Sequence, residues 1–273
     1  MKTITLLISV LFSSCFLNTK KEDMNGFDVR LFKGTPVWEV AKAVEDDNVD
    51  KIKLLLKNKP DSIINFQEEI LGMSLLNWVV FNNRYQSVKA LLELESNPNL
   101  QSKDGTSAFI QACSKYETSE YAKLLLKYGG KPNDIAKAER PQILRTPLQA
   151  AAVRFETFKL LIESGADPSY IHPYYEHRSA LEAASLSDNL DVITYLIYNV
   201  GVDYKRAFGT TQNGDRINIL TYLRTLTYPL DSEDYKKKMK LVAFLKKNGM
   251  DYWEESIPMQ FYQNYDSVYL SKY

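Results

Sequence analysis

The chain has 273 residues, is 45% hydrophobic and 25% charged, and carries no formal net charge. That composition suffices for a buried core, and the lack of a basic excess argues against a nucleic-acid binder. Eleven glycines in this length argue against glycine-rich phosphate loops, whereas 18 tyrosines suit either a contact surface or core packing.

In chain order, the N-terminus reads as an export signal. Lys2 precedes the short apolar run Ile4, Leu6, Leu7, Ile8, Val10, Leu11 and Phe12, and the small pair Ser13-Ser14 precedes Cys15. The run is too short to span a bilayer, so residues 1–15 are expected to be cleaved. Leu11-Phe12-Ser13-Ser14-Cys15 resembles a bacterial lipoprotein box, which implies lipidation of Cys15. It departs from that pattern at Phe12, where an aliphatic residue is expected, with Leu11 one position early. Ordinary cleavage near Cys15, giving a secreted protein, is the alternative. Residues 16–34 read as a polar tether. With Cys15 lipidated, Cys113 has no intramolecular partner and reads as a small interior residue.

From residue 35 a helical pattern recurs. Val40, Ala43 and Val44 lead to Ile52 and Leu54-Leu55-Leu56; Ser74-Leu75-Leu76-Asn77 leads to Val88 and Leu91-Leu92. Ser107-Ala108-Phe109 leads to Leu124-Leu125-Leu126 and Gly129-Gly130. The clearest copy is Thr146-Pro147-Leu148-Gln149-Ala150-Ala151-Ala152, followed by Leu160-Leu161 and Gly165-Ala166-Asp167. Ser179-Ala180-Leu181-Glu182-Ala183-Ala184 then runs to Gly201-Val202-Asp203, and Ile219-Leu220 to Leu245 and Gly249. The equivalent loop positions read as Lys59, Glu95, Gly129, Gly165, Gly201 and Gly249, spaced 36, 34, 36, 36 and 48 apart.

A threonine or serine suits a helix N-cap, proline costs nothing at the first helical position, and glycine closes the second helix in a left-handed conformation. The Thr-Pro-Leu, double-leucine and Gly-Ala-Asp series resembles the ankyrin repeat. The resemblance implies an all-α ankyrin-repeat solenoid of about six helix-turn-helix units with short β-hairpin-like fingers over residues 35–252. The family's concave surface, made of fingers and first helices, is then the expected protein-binding face.

The departures from the repeat point to the candidate contacts. The finger 168–178 is strongly aromatic, giving Tyr170, His172, Tyr174, Tyr175, His177 and Arg178 as candidate partner-binding residues; packing on the neighbouring finger is the alternative. Arg154 and Phe155 join them, standing where the turn between helices is short and glycine is usual. His172 and His177 lack the companions of a metal site, so no metal is assigned. A long insertion lies at 225–234. Lys236, Lys237, Lys238, Lys240, Lys246 and Lys247 read as the solvated face of a capping repeat, with an anionic-surface contact as the alternative. The aromatic tail 253–273 is expected to fold over the last repeat, or to be presented to a partner.

Catalytic motifs such as G-x-S-x-G, the P-loop, H-E-x-x-H and CxxC are missing from the sequence, and no catalytic residue or cofactor is assigned. The expectation is a non-enzymatic, monomeric scaffold for a protein partner. It would be exported to the bacterial periplasm or outer membrane, touching membrane through a lipid anchor alone, or else secreted. An immunity protein neutralising a secreted toxin is the narrower alternative; a hydrolase using one of the histidines is the remote one.

Overall fold

Side chains that cap helix N-termini set the register of this chain. Ser74 accepts from the Asn77 amide and Asn77 reaches back to Ser74, a reciprocal box that starts α4 (Leu75–Phe81). Thr146 and Gln149 form the same box at α8 (Pro147–Ala150), with Pro147 at its first position. Ser107, Ser179 and Asn218 cap α6 (Ala108–Lys115), α10 (Ala180–Leu186) and α12 (Ile219–Thr225). Each cap satisfies amides that the first helical turn leaves without partners.

The computed structural model describes residues 24–115, 117–137, 146–171, 179–207, 209–210 and 216–273. Cys15 and the rest of the expected signal segment, with His172, Tyr174, Tyr175, His177 and Arg178, lie outside the described residues.

Each first helix turns back into a second. The pairs are α1 (Trp38–Glu45) with α2 (Val49–Leu56), α4 with α5 (Tyr85–Glu93) and α6 with α7 (Glu120–Lys127). They continue as α8 with α9 (Phe155–Glu163), α10 with α11 (Leu190–Tyr195) and α12 with α13 (Glu233–Lys247). These are the six expected hairpins, units 1 to 6. Short extra turns are α3 (Asp61–Ile64) in the first finger and α14 (Phe261–Asn264) and α15 (Ser267–Leu270) in the tail. Fingers are narrow: isolated antiparallel bridges join Gln67 to Ser74 and Gln101 to Ser107. Farther on, β1 (Gly209–Thr210) pairs antiparallel with β2 (Arg216–Ile217), Gly209 opposite Ile217.

The second helices end in a left-handed residue at Asn58, Glu95, Gly129, Gly165, Gly201 and Gly249. The first boundary therefore falls at Asn58, one residue before the expected Lys59, because asparagine tolerates this backbone and carries the turn without glycine. Gly130 has a separate reason: a Cβ there would lie 2.8 Å from Cδ2 of Phe109, whose ring is fully buried.

One core runs the length of the stack. Trp78, Phe109 and Phe158 fill it, and Ala112, Ala151 and Ala184 let helices approach closely. Cys113 is buried there, and desolvation pushes its thiol pKa well up, so it packs as a small apolar group. Adjacent units are also pinned at the turns between helices. Asp47 accepts from the Ser87 hydroxyl at 2.5 Å, Asn83 from the Tyr121 hydroxyl at 2.6 Å and Asp188 from the Tyr222 hydroxyl at 3.2 Å.

The N-terminal end departs from the sequence reading. The expected tether through residue 34 ends earlier, because Leu31 and Phe32 are buried and the Phe32 ring meets Trp78 edge-on at 6.1 Å. At the other end the tail lies over the insertion between α12 and α13. Tyr265 donates to Oγ1 of Thr227, Tyr269 to the carbonyl of Tyr228 and Tyr273 to the carbonyl of Arg224. Tyr252 and Tyr273 are fully buried around the Arg224 guanidinium, which lies 4.0 Å from the Tyr252 ring centroid.

Candidate functional site

First helices and fingers together line a groove face. One recess in it, about 410 Å³, lies between units 3 and 4. Ile110, Ala136 and Ala150 form its apolar floor, and Gln111, Ser114 and Lys115 from α6 form one wall. Asp104 and Thr106 of the finger close the other side. Small residues in unit 4 make the recess: Ala136 and Ala150 leave space that larger side chains would fill.

The walls are held from behind. Gln67 donates to the carbonyls of Gly72 and Gln101, at 2.7 and 2.8 Å, tying the finger before α4 to the next one. Gln101 donates to the carbonyl of Ile135 at 2.9 Å and accepts from the Lys137 amide at 2.7 Å. Asp104 is oriented by Ser102 at 2.7 Å and by the Thr106 amide at 2.9 Å. Lys115 donates to the Phe81 carbonyl and sits 4.5 Å from the Phe81 ring centroid. Burial holds the Lys115 pKa below the ordinary lysine value. Glu68 is buried in its finger as acceptor for the amides of Ile70, Leu71 and Met73.

Of the residues singled out from sequence, three fall among the described ones, and the structure separates them. Half-buried Tyr170 lines a smaller cleft of about 200 Å³ with Pro132 and Ile135 of the preceding finger and Leu148 of α8. Arg154 and Phe155 stand past the far end of the run from Thr146, about 12 Å away at helical rise. Unit 4 shortens its first helix to α8 plus a 3-10 turn at Ala151–Val153, and Arg154, extended at φ −130°, ψ 93°, makes the reversal alone. Phe155 packs edge-on against Tyr195 of α11 with centroids 5.6 Å apart, so it joins the seam between second helices. The six lysines expected on a solvated face are also split: Lys238 is 1% exposed.

Sequence reading missed the recess. Its signal lay in the cap register, since Gln111, Ser114 and Lys115 follow Ser107 by four, seven and eight positions along one helix face.

A family model of three copies of ankyrin repeats matches the chain over residues 40–136 and 76–171. Residues 40–171 are ankyrin repeats. No curated protein matches it. The matched span takes in units 1 to 4 of the ankyrin stack. Units 5 and 6 continue it with altered parts, a π-helical turn at Leu196–Val200 and the long insertion after α12. Ankyrin repeats are typically non-enzymatic scaffolds for protein–protein contact.

Proposed function

We propose that this ankyrin protein captures a protein partner in the groove of units 3 and 4. The observation that carries the reading is the recess between α6 and the following finger. It joins an apolar floor to polar walls that glutamine side chains fix in place, the composition of a small-side-chain subsite within an interface. Ser114 lines it and is half-buried, so it can be enlarged without disturbing the core. The expected result is stoichiometric capture of one protein by wild type and its loss with Ser114→Trp, while Lys240→Trp on exposed α13 still captures it. Equal capture by wild type and Ser114→Trp would move the site off this groove.

The same proposal places the protein in the bacterial envelope, on the strength of the apolar run and the small pair before Cys15. Cys15→Ala should shift the protein from the membrane fraction to the soluble fraction of native cells. Retention in the membrane fraction would exclude the lipid anchor.

A further inference from the structure

The last unit encloses two cations in one aromatic cage. Arg224 of α12 is 3% exposed and Lys238 of α13 is 1% exposed. The Arg224 guanidinium lies 4.0 Å from the Tyr252 ring centroid and 5.5 Å from that of Tyr273. The Lys238 ammonium lies 5.1 Å and 4.5 Å from the same two centroids. Tyr252 and Tyr273 therefore serve both charges.

Neither cation is ion-paired with an aspartate or glutamate among the described residues. Arg224 donates to the main-chain oxygens of Glu255 and Tyr273, at 3.1 and 3.4 Å, and Lys238 to the Leu226 carbonyl at 2.8 Å. Like charges buried together repel, and each has lost hydration that neutral acceptors offset only in part. Arginine keeps its proton throughout. Relief comes from Lys238, which either sheds its proton or regains water.

The groups facing Lys238 are Arg224 from α12, Tyr252 from the turn after α13 and Tyr273 from the tail, with Tyr269 stacked on Tyr273 at 5.4 Å. The insertion brings the Leu226 carbonyl and, two residues on, Tyr228. Burial raises the pKa of all four tyrosines, so they stay protonated near neutral pH. On α13 itself Asp234 lies 3.9 Å from Lys237, which reaches Asp191 at 2.7 Å.

Of the elements covering Lys238, the tail is held most lightly. α13 is anchored by Leu241, Val242 and Leu245 in the continuous core, whereas the tail buries Leu270 and Tyr273, neither of which joins that core. Segments with so little buried area open locally, far below the cost of global unfolding.

We propose that the aromatic tail is a latch loosened by mild acid: it closes over Lys238 when that lysine is neutral and opens when the proton returns. The direction follows from burial, which lowers the Lys238 pKa to about 7 from 10.5. With the tail open the lysine is solvated and holds its proton up to the ordinary value; with the tail closed it sheds the proton above 7. Closure is therefore favoured more strongly as pH climbs above 7. From pH 8 to pH 6 the open fraction should grow about tenfold, and below pH 6 it should level off.

Amide exchange of the full chain, corrected for intrinsic rates, reads the latch. The amides of Leu270 and Tyr273 bond to the carbonyls of Asp266 and Tyr269. Their protection should fall about tenfold from pH 8 to pH 6 while α4 to α7 keep theirs. Lys238→Met should make tail protection independent of pH. In ¹³C-lysine-labelled wild type the Lys238 Cε signal should titrate near pH 7, a measurement that stands even if Lys238→Met does not fold. Equal tail protection at pH 6 and pH 8, or a step centred near pH 4 where carboxylates titrate, would overturn the proposal. So would a Lys238 midpoint near 10.5, or a pH dependence that survives in Lys238→Met, since histidines titrate in the same window. Loss of protection shared by α4 to α7 would make the acid effect global and leave no latch.

Discussion

Asn99 and Asn133 perform the same two tasks one unit apart. Asn99 accepts from the Lys131 amide at 2.9 Å and donates to the Gly129 carbonyl at 2.8 Å. Asn133 accepts from the Asp167 amide and donates to the Gly165 carbonyl, each at 2.8 Å. Each asparagine thereby satisfies the backbone at the left-handed end of the next unit's second helix. The equivalent position in unit 4 is Ser169, whose shorter side chain turns back to Asp167 at 2.6 Å. Asn133→Ala should cost about 1–2 kcal/mol, the net worth of two partly solvated hydrogen bonds. Ser169→Asn should gain about 1 kcal/mol, because Gly201 and Asp203 stand at the matching spacing. Urea midpoints at unchanged slope check both, and a destabilised Ser169→Asn would mean that the loop of unit 5 has left the register. The glycine rungs of this ladder were legible because left-handed backbone favours glycine so strongly. Asn58 adopts the same angle without that signature, which is why the first boundary was read one residue late.

The longest helix among the described residues shows what charge hides from a composition-based reading. In α13 the buried residues are Lys238, Leu241, Val242 and Leu245, an i, i+3, i+4, i+7 stripe with a lysine at its head. Counting lysines assigned Lys238 to the solvated face; following the period places it inside. Its ammonium donates to the Leu226 carbonyl at 2.8 Å and lies over the rings of Tyr252 and Tyr273. Burial first, and then the Arg224 charge, lower its pKa to about 7. The folded state therefore holds this proton less tightly than the unfolded chain, where lysine titrates near 10.5. Below pH 7 both states are protonated and the full penalty of the buried charge applies. As pH rises from 7 toward 10.5 the folded state sheds the proton first, and stability increases. The urea midpoint should climb between pH 7 and pH 9, before tyrosines ionise, and Lys238→Met should flatten that slope. An unchanged slope in Lys238→Met would assign the pH dependence to other groups. The repeating elements were thus legible from caps and periodicity. Caps also mark the α6 wall of the groove recess, whereas its floor arises where small side chains of the next unit face α6, a juxtaposition that no single window of sequence contains.

At the scale of the whole molecule, the insertion after α12 and the aromatic tail explain each other. A solenoid must cover the apolar face of its last unit, and here the tail does so by packing on the insertion: Tyr235 donates to the Lys272 carbonyl at 2.7 Å, and Tyr252 to the main-chain oxygen of Tyr273 at 3.0 Å. Arg224 ties the layers together, donating to the Glu255 carbonyl at 3.1 Å beneath the tyrosine rings. Tyr273→Ala removes a fully buried aromatic side chain, a change that costs about 3–5 kcal/mol at comparable core sites. In a stack whose units touch mainly their neighbours, that loss should stay local. Hydrogen exchange of Tyr273→Ala should show α12, α13 and the tail losing protection while α4 to α7 keep theirs. The groove of units 3 and 4 would then survive the damage, and the partner would still be captured. A uniform loss of protection from α1 to α15 would instead mean that the six units unfold as one cooperative block, with the cap governing the binding face from the far end of the chain.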